Sequence, residues 1–167
     1  NALALSSVGA NGGNFAGTGT VAVSTVNADV DVKTLTGAGT LTLNNDVNAG
    51  AGKVYFTAGG GITQVGGKII ANTLGMNAGN TIAVNSATND VATLGATTSS
   101  GTITYQDANA LALSSVGANG GNFLGTGATV AISTANADVD VKTLTGAGTL
   151  TLNNDVNAGA GNMYFTA

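Results

Sequence analysis

Few side chains in this sequence can do chemistry, and they recur in fixed company. Asp29-Val30-Asp31-Val32-Lys33 returns as Asp138-Val139-Asp140-Val141-Lys142. In an extended chain, residues two apart share a face, so each copy sets two carboxylates and an ammonium side by side. Paired carboxylates about 5–9.5 Å apart are the machinery of glycoside hydrolysis. That work also needs a pKa raised by burial in a shaped cleft. Acids on an open strand beside a lysine lack one, so the motif reads as a solvated strand edge with local ion pairing. Asn44-Asn45-Asp46, Asn89-Asp90 and Asn153-Asn154-Asp155 offer oxygens to a hard cation such as calcium, which takes about six to eight. The calcium-binding nonapeptide GGxGxDxUx is absent, and Asn and Asp serve turns through their own backbone hydrogen bonds. These segments therefore read as turns. Gly59-Gly60-Gly61 and Gly117–Gly121 lack the helix that follows a phosphate loop and read as tight corners. Tyr55-Phe56 and Tyr164-Phe165 each send one ring inward and one outward. The outward ring is expected to pack on a neighbouring rung or a side loop, with a sugar- or protein-binding platform as the alternative. No residue is assigned as catalytic, cofactor-binding or metal-ligating, and no cofactor is expected.

The elements that carry these residues follow from composition and repeats. The 167 residues are 43% apolar but only 4% aromatic, with 27 glycines and no proline, tryptophan or cysteine. Valine, leucine, isoleucine and alanine must build the core. High glycine without proline excludes collagen and a proline-rich linker. All four bases are lysines and all eight acids are aspartates, so the net charge is 4 − 8 = −4. That balance opposes nucleic acid, whose affinity comes largely from Lys and Arg on phosphates. It also leaves no polybasic patch for a membrane surface. No apolar run is long enough for a transmembrane helix. No thiolate metal site, disulfide or thiol nucleophile exists without cysteine.

Two repeats are nested. Residues 1–58 recur as 109–167 with Ala128 inserted and five substitutions: Ala16/Leu124, Val23/Ile132, Val26/Ala135, Lys53/Asn162 and Val54/Met163. The chain is thus read as one segment, 1–167, holding a long repeat 1–108 and a partial second copy 109–167. Inside the long repeat, a polar-apolar-polar-apolar tetrad starts at Thr20, Thr40, Gly61, Thr81, Thr102, Thr129 and Thr149. Period-2 alternation marks half-buried strands. The tetrads recur every 20–21 residues except for one interval of 27, which holds Ser114–Gly127. The spacing predicts five rungs per long repeat and seven to eight rungs in all, with Ser114–Gly127 and the equivalent Ser6–Gly19 bulging from the stack. In the Thr20 rung, strands are expected at Thr20–Ser24, Asp29–Leu35 and Thr36–Ala38.

A constant rung with like residues in like places predicts an all-β parallel β-helix, a β-solenoid with about 20–21 residues per rung. Val21, Leu41, Ile62, Ile82, Ile103, Val130 and Leu150 are expected in one interior column. Val23, Leu43, Gln64, Val84, Tyr105, Ile132 and Leu152 form a second. Threonines form an outer ladder, and Asn44, Asn85 and Asn153 a turn ladder joined by side-chain hydrogen bonds. A flat threonine array also suggests ice binding, a minor alternative, because the outer column alternates with alanine at Ala22, Ala83 and Ala131.

Asn89–Gly121 and Gly59–Val91 resemble the recurring module of large bacterial filamentous-haemagglutinin-like exoproteins, adhesins of two-partner secretion. The resemblance implies a right-handed β-helix and export through a partner outer-membrane transporter. It also implies a secreted or cell-surface place in an adhesin or biofilm-matrix fibre. The expected function is a non-enzymatic stalk or filament segment. The alternative is a carbohydrate- or protein-binding module whose long-rung loop meets a host-cell or polysaccharide ligand. Expected partners are neighbouring rungs of a longer chain or end-to-end self-association, this chain being a window on a longer array.

Overall fold

The computed structural model describes residues 2–7, 19–34, 37–144 and 148–167. They form seventeen strands and, among the described residues, no helix. The first repeat holds β1 (Leu3–Leu5), β2 (Val21–Ser24), β3 (Val30–Lys33), β4 (Leu41–Leu43), β5 (Asp46–Asn48) and β6 (Lys53–Ala58). Then come β7 (Ile62–Gln64), β8 (Ile69–Ala78), β9 (Ile82–Val84), β10 (Asp90–Thr98) and β11 (Ile103–Asp107). The second copy holds β12 (Leu111–Leu113), β13 (Val130–Ser133), β14 (Val139–Thr143), β15 (Leu150–Leu152), β16 (Asp155–Asn157) and β17 (Met163–Thr166).

Every pairing among the described residues is parallel. One sheet runs β1-β4-β7-β9-β11-β14-β17; the other has ten strands. The chain crosses the first sheet once per turn and the second sheet twice. In β8 and β10 the two crossings fuse: Ile69 and Ile70 continue from β5, whereas Thr73–Ala78 continue from β6. Seven strands in the first sheet make about six turns, fewer than the seven to eight expected. This is a parallel β-solenoid.

Short strands rich in Val, Ile, Leu and Thr suit this architecture, because alternate side chains enter the core and the others face out. Leu41, Ile62, Ile82 and Ile103 stack in one column and are each 0% exposed. Stacking aliphatics gives each rung a dry wall above and below.

The column does not extend to Val21, Val130 and Leu150 as expected. Leu3 lies beside Leu41, and Val139 followed by Met163 continues beyond Ile103. Val21 pairs with Asp46, Val130 with Asp155 and Leu150 with Leu111, all in the ten-stranded sheet. Ile103 to Val139 is therefore one turn of 139 − 103 = 36 residues, not 27. From Leu3 to Ile103 the chain makes four turns, and Leu111, the twin of Leu3, then falls on the other sheet. The long repeat thus spans four turns and one further face rather than five rungs. Leu41–Leu43 lies in the seven-stranded sheet and its twin Leu150–Leu152 in the ten-stranded one. The same tetrad satisfies either face, so local pattern does not fix phase.

Two smaller expectations change for the same reason. Asn44 and Asn85 follow β4 and β9, with exposed Val65 on the rung between them, and Asn153 follows β15 in the other sheet. No asparagine ladder joins the three. Gly37 and Ala38 lie in a bend, not a strand, while Leu35 and Thr36 lie outside the described residues.

The core makes a direct prediction. Ile82→Asp should destabilise at least as much as the about 2–5 kcal/mol typical of truncating a buried isoleucine, since it adds an unpaired charge. Thr40→Ser, at an exposed position, should stay within about 0.5 kcal/mol. Denaturant melts of the two variants check this, and similar midpoints would contradict the inside–outside assignment.

Candidate functional site

The polar residues gather in two places, a buried corner and a strapped outer face. At the corner, where the seven-stranded sheet turns toward the ten-stranded one, Gln64 and Asn89 exchange amide hydrogen bonds. Gln64 Nε2 donates to Asn89 Oδ1 at 2.9 Å and Asn89 Nδ2 to Gln64 Oε1 at 3.0 Å. Asn89 Oδ1 also accepts from Ile69 N, and Asn89 Nδ2 donates to Gln106 O. One rung on, Tyr105 Oη donates to Asp107 Oδ2 at 2.7 Å. Val91 N donates to the same oxygen and Asn109 N to Oδ1. Asn89 and Asp107 are both 0% exposed.

Gln64 interrupts the aliphatic column, and Asn89 was read as a turn residue. Together they carry backbone hydrogen bonds through a corner where strand pairing lapses, which removes the cost of burying unpaired polar groups. Burial raises the Asp107 carboxyl above its ordinary pKa, and nearby Asp90 adds to the rise. The donors Asn109, Tyr105 and Val91 pull it down without cancelling that effect. Burial first, then the Asp107 charge, pushes the Tyr105 phenol well up. The donor set is filled by protein groups, and no group of three metal-ligating side chains occurs among the described residues.

The second place is the outer face of β6, β8 and β10. There Tyr55, Gly75 and Gly95 stand in register. Ser114–Gly127 leaves the stack after β12, as expected of the long rung, and folds back over this stripe. The matching expectation for Ser6–Gly19 falls mostly outside the described residues. Phe123 packs on Tyr55 with ring centroids 5.2 Å apart, and with Val116 the two rings form a separate apolar cluster. A Cβ at Gly75 would come 2.7 Å from Phe123 Cζ, and one at Gly95 would come 2.5 Å from Val116 Cγ2. The two glycines make the seat. Their mid-strand positions in Thr73-Leu74-Gly75 and Thr93-Leu94-Gly95 were the available signal, because glycine inside a strand marks close approach.

Polar contacts complete the strap. Asn122 donates from N and Nδ2 to Asp31 Oδ2, at 3.3 and 3.2 Å. Thr57 Oγ1 donates to Asn122 O and Asn77 Nδ2 to Gly125 O. A loop of the second copy thus grips four successive rungs, through Asp31, Tyr55, Gly75 and Gly95.

The repeated acids take backbone donors. Asp29 Oδ1 accepts from Lys53 N, and Asp138 Oδ1 accepts from Asn162 N, both at 2.8 Å. Asp46 Oδ1 accepts from Lys68 N one rung on. Asn45 Oδ1 accepts from Ser7 N, as its twin Asn154 Oδ1 does from Ser115 N. Asn27 and Asn136, both left-handed at φ 59° and 61°, accept from Ala51 N and Ala160 N. These turn residues tie each rung to the next. On the seven-stranded sheet the outward column reads Ala4, Thr42, Thr63, Ala83, Thr104, Asp140, Tyr164, so threonines do not form an unbroken array. No family model, curated protein or solved structure matches the chain.

Two predictions come from this geometry. Gly75→Val should unseat the strap, and limited proteolysis should then cut within Ser114–Gly127 far faster than in the parent; an unchanged cleavage rate would contradict the seat. For Asp107, the folded pKa lies above the unfolded value of about 3.9, so its stabilising share is full below that value and is lost as pH rises through the folded one. Relative to Asp107→Asn, the parent should therefore be more stable near about pH 3 than near about pH 7. Thermal melts at both pH values check the sign, and the opposite trend would contradict it.

Proposed function

We propose that this solenoid is a non-enzymatic structural segment, a stalk or filament piece of a secreted or cell-surface bacterial adhesin or biofilm-matrix fibre. The observation that carries the reading is the use made of the polar residues. Asp29, Asp46, Asp107 and Asp138 accept backbone hydrogen bonds that join one rung to another or close a corner. These four carboxylates are engaged in extending the stack. A parallel solenoid delivers length and stiffness at about 4.8 Å per turn. The resemblance of Gly59–Gly121 to filamentous-haemagglutinin-like modules supports a place outside the cell and passage through a partner outer-membrane transporter.

The alternative, a binding module presenting the long-rung loop, has less support. Val116 and Phe123 of that loop face the sheet, with Leu124 left outward at 83% exposure.

Arrays of two, four and eight long repeats, seen by electron microscopy, test the proposal. Each added repeat should lengthen the particle by about 20 Å, from four turns at about 4.8 Å per turn and a fraction of a turn for the further face. Deleting the array from the parent surface protein should shorten its reach and weaken adhesion. Particles that grow in width instead of length would contradict the stalk reading, as would full adhesion without the array.

A further inference from the structure

The strap holds one reactive group in an activating setting. Asn119 begins its Asn-Gly-Gly-Asn-Phe turn. Asn119 N donates to Phe123 O at 3.2 Å. In return, Asn119 Oδ1 accepts from Gly121 N at 2.8 Å and from Phe123 N at 3.1 Å. Two backbone donors on one carbonyl oxygen draw electrons from its carbon. They also stand ready to hold negative charge on that oxygen, which is the part an oxyanion hole plays. The next backbone nitrogen belongs to a glycine. Gly120 is exposed at φ 75°, and a Cβ there would meet nothing within 4 Å. No side chain bars Gly120 N from the Asn119 amide carbon.

Other asparagines meet one condition without the other. Asn89 Oδ1 takes two donors but is buried and precedes Asp90. Asn27 and Asn136 accept from Ala51 N and Ala160 N, and each precedes an alanine. In the sequence, glycine follows asparagine only at 11–12 and 119–120.

We infer that Asn119-Gly120 is a self-modification site whose product unlatches the strap. Gly120 N loses its proton to hydroxide and attacks Asn119 Cγ, forming a C–N bond. The Cγ–Nδ2 bond then breaks, and ammonia leaves with a proton drawn from water. Water opens the resulting succinimide at one of its two ring C–N bonds. Opening at Cγ gives aspartate. Opening at the α-carbonyl carbon gives isoaspartate, in which the main chain runs through Cγ. One water enters and one ammonia leaves, with no oxidant or cofactor. In the isoaspartyl product the oxygen that held Gly121 and Phe123 belongs to a main chain one carbon longer. Phe123 is then no longer positioned over Tyr55 and Gly75, and Asn122 loses its alignment with Asp31.

The test ages the intact chain beside the free peptide SSVGANGGNFLGTG, residues 114–127, in mildly alkaline buffer. Mass spectrometry with electron-transfer fragmentation separates aspartate from isoaspartate. Leu124 against Ala16 distinguishes the site from its twin at 11–12. Asn119 should convert in the intact chain at least as fast as in the peptide, and about tenfold or more ahead of Asn27 and Asn136. The isoaspartyl chain should then be cut within Ser114–Gly127 about tenfold faster than fresh chain. Asn119→Asp keeps the main-chain length and the acceptor oxygens, so it should resist cleavage like the parent. An unchanged circular dichroism spectrum verifies that the solenoid stays folded. Slower conversion in the intact chain than in the peptide would overturn the site, because the fold would then shield the amide. Isoaspartate formed without faster cleavage, or equal cleavage of Asn119→Asp and the isoaspartyl chain, would overturn the unlatching. None of these outcomes depends on the filament reading.

Discussion

Each strand here owes its backbone partners and one wall of its core to the rungs on either side. A strand of three or four residues such as Leu41–Leu43 has no stability alone. It gains hydrogen bonds from Leu5 and Ile62 neighbours and buries Leu41 and Leu43 against the aliphatics of those rungs. Burial of each such side chain is worth about 1.5–3 kcal/mol relative to exposure, and it is realised only when the neighbour is in register. In-register parallel stacking is therefore the constraint to which the rest conforms. Turn asparagines and aspartates reach to the next rung's N–H groups, and Gln64 and Asn89 satisfy each other inside, while the buried Thr143 hydroxyl has no partner among the described residues.

Against that constraint the second copy is instructive. The same strand sequences pair with the same partners in both copies: β1 with β4 as β12 with β15, β2 with β5 as β13 with β16, and β3 with β6 as β14 with β17. Even the register shift that skips Ala22 returns at Ala131. Yet the set is rotated onto the next face. Neighbour relations are encoded in the sequence, whereas position around the axis follows from the length of what comes before. The strap across β3, β6, β8 and β10 joins rungs that strand pairing alone connects only in single steps, so it couples the copies over a longer range.

The parallel solenoid, the rung length of the central turns and the outward bulge of Ser114–Gly127 were legible in the sequence, because stacking forces like residues into columns. The phase was not legible. Thr20, Thr102 and Thr129 head tetrads of identical pattern, and only the path of the chain shows that the first and third lie in a different sheet from the second. The outward ring of Tyr55-Phe56 was expected to pack on a neighbouring rung or a side loop; it is Tyr55, and it packs on Phe123 of the loop. Its glycine seat was missed, since Gly75 and Gly95 look like breaks until the loop that fills them is placed. Asn89 was assigned to a turn, correctly as to backbone, but its burial depended on Gln64, twenty-five residues away.

The most direct test of this account is the register between the central turns and the second copy, measured as short interstrand backbone distances by NMR on the isotopically labelled chain. The structure requires contacts between Ile103 and Val139, and between Leu111 and Leu150. Contacts of Ile103 with Val130 instead, the pairing that a uniform rung would give, would contradict it.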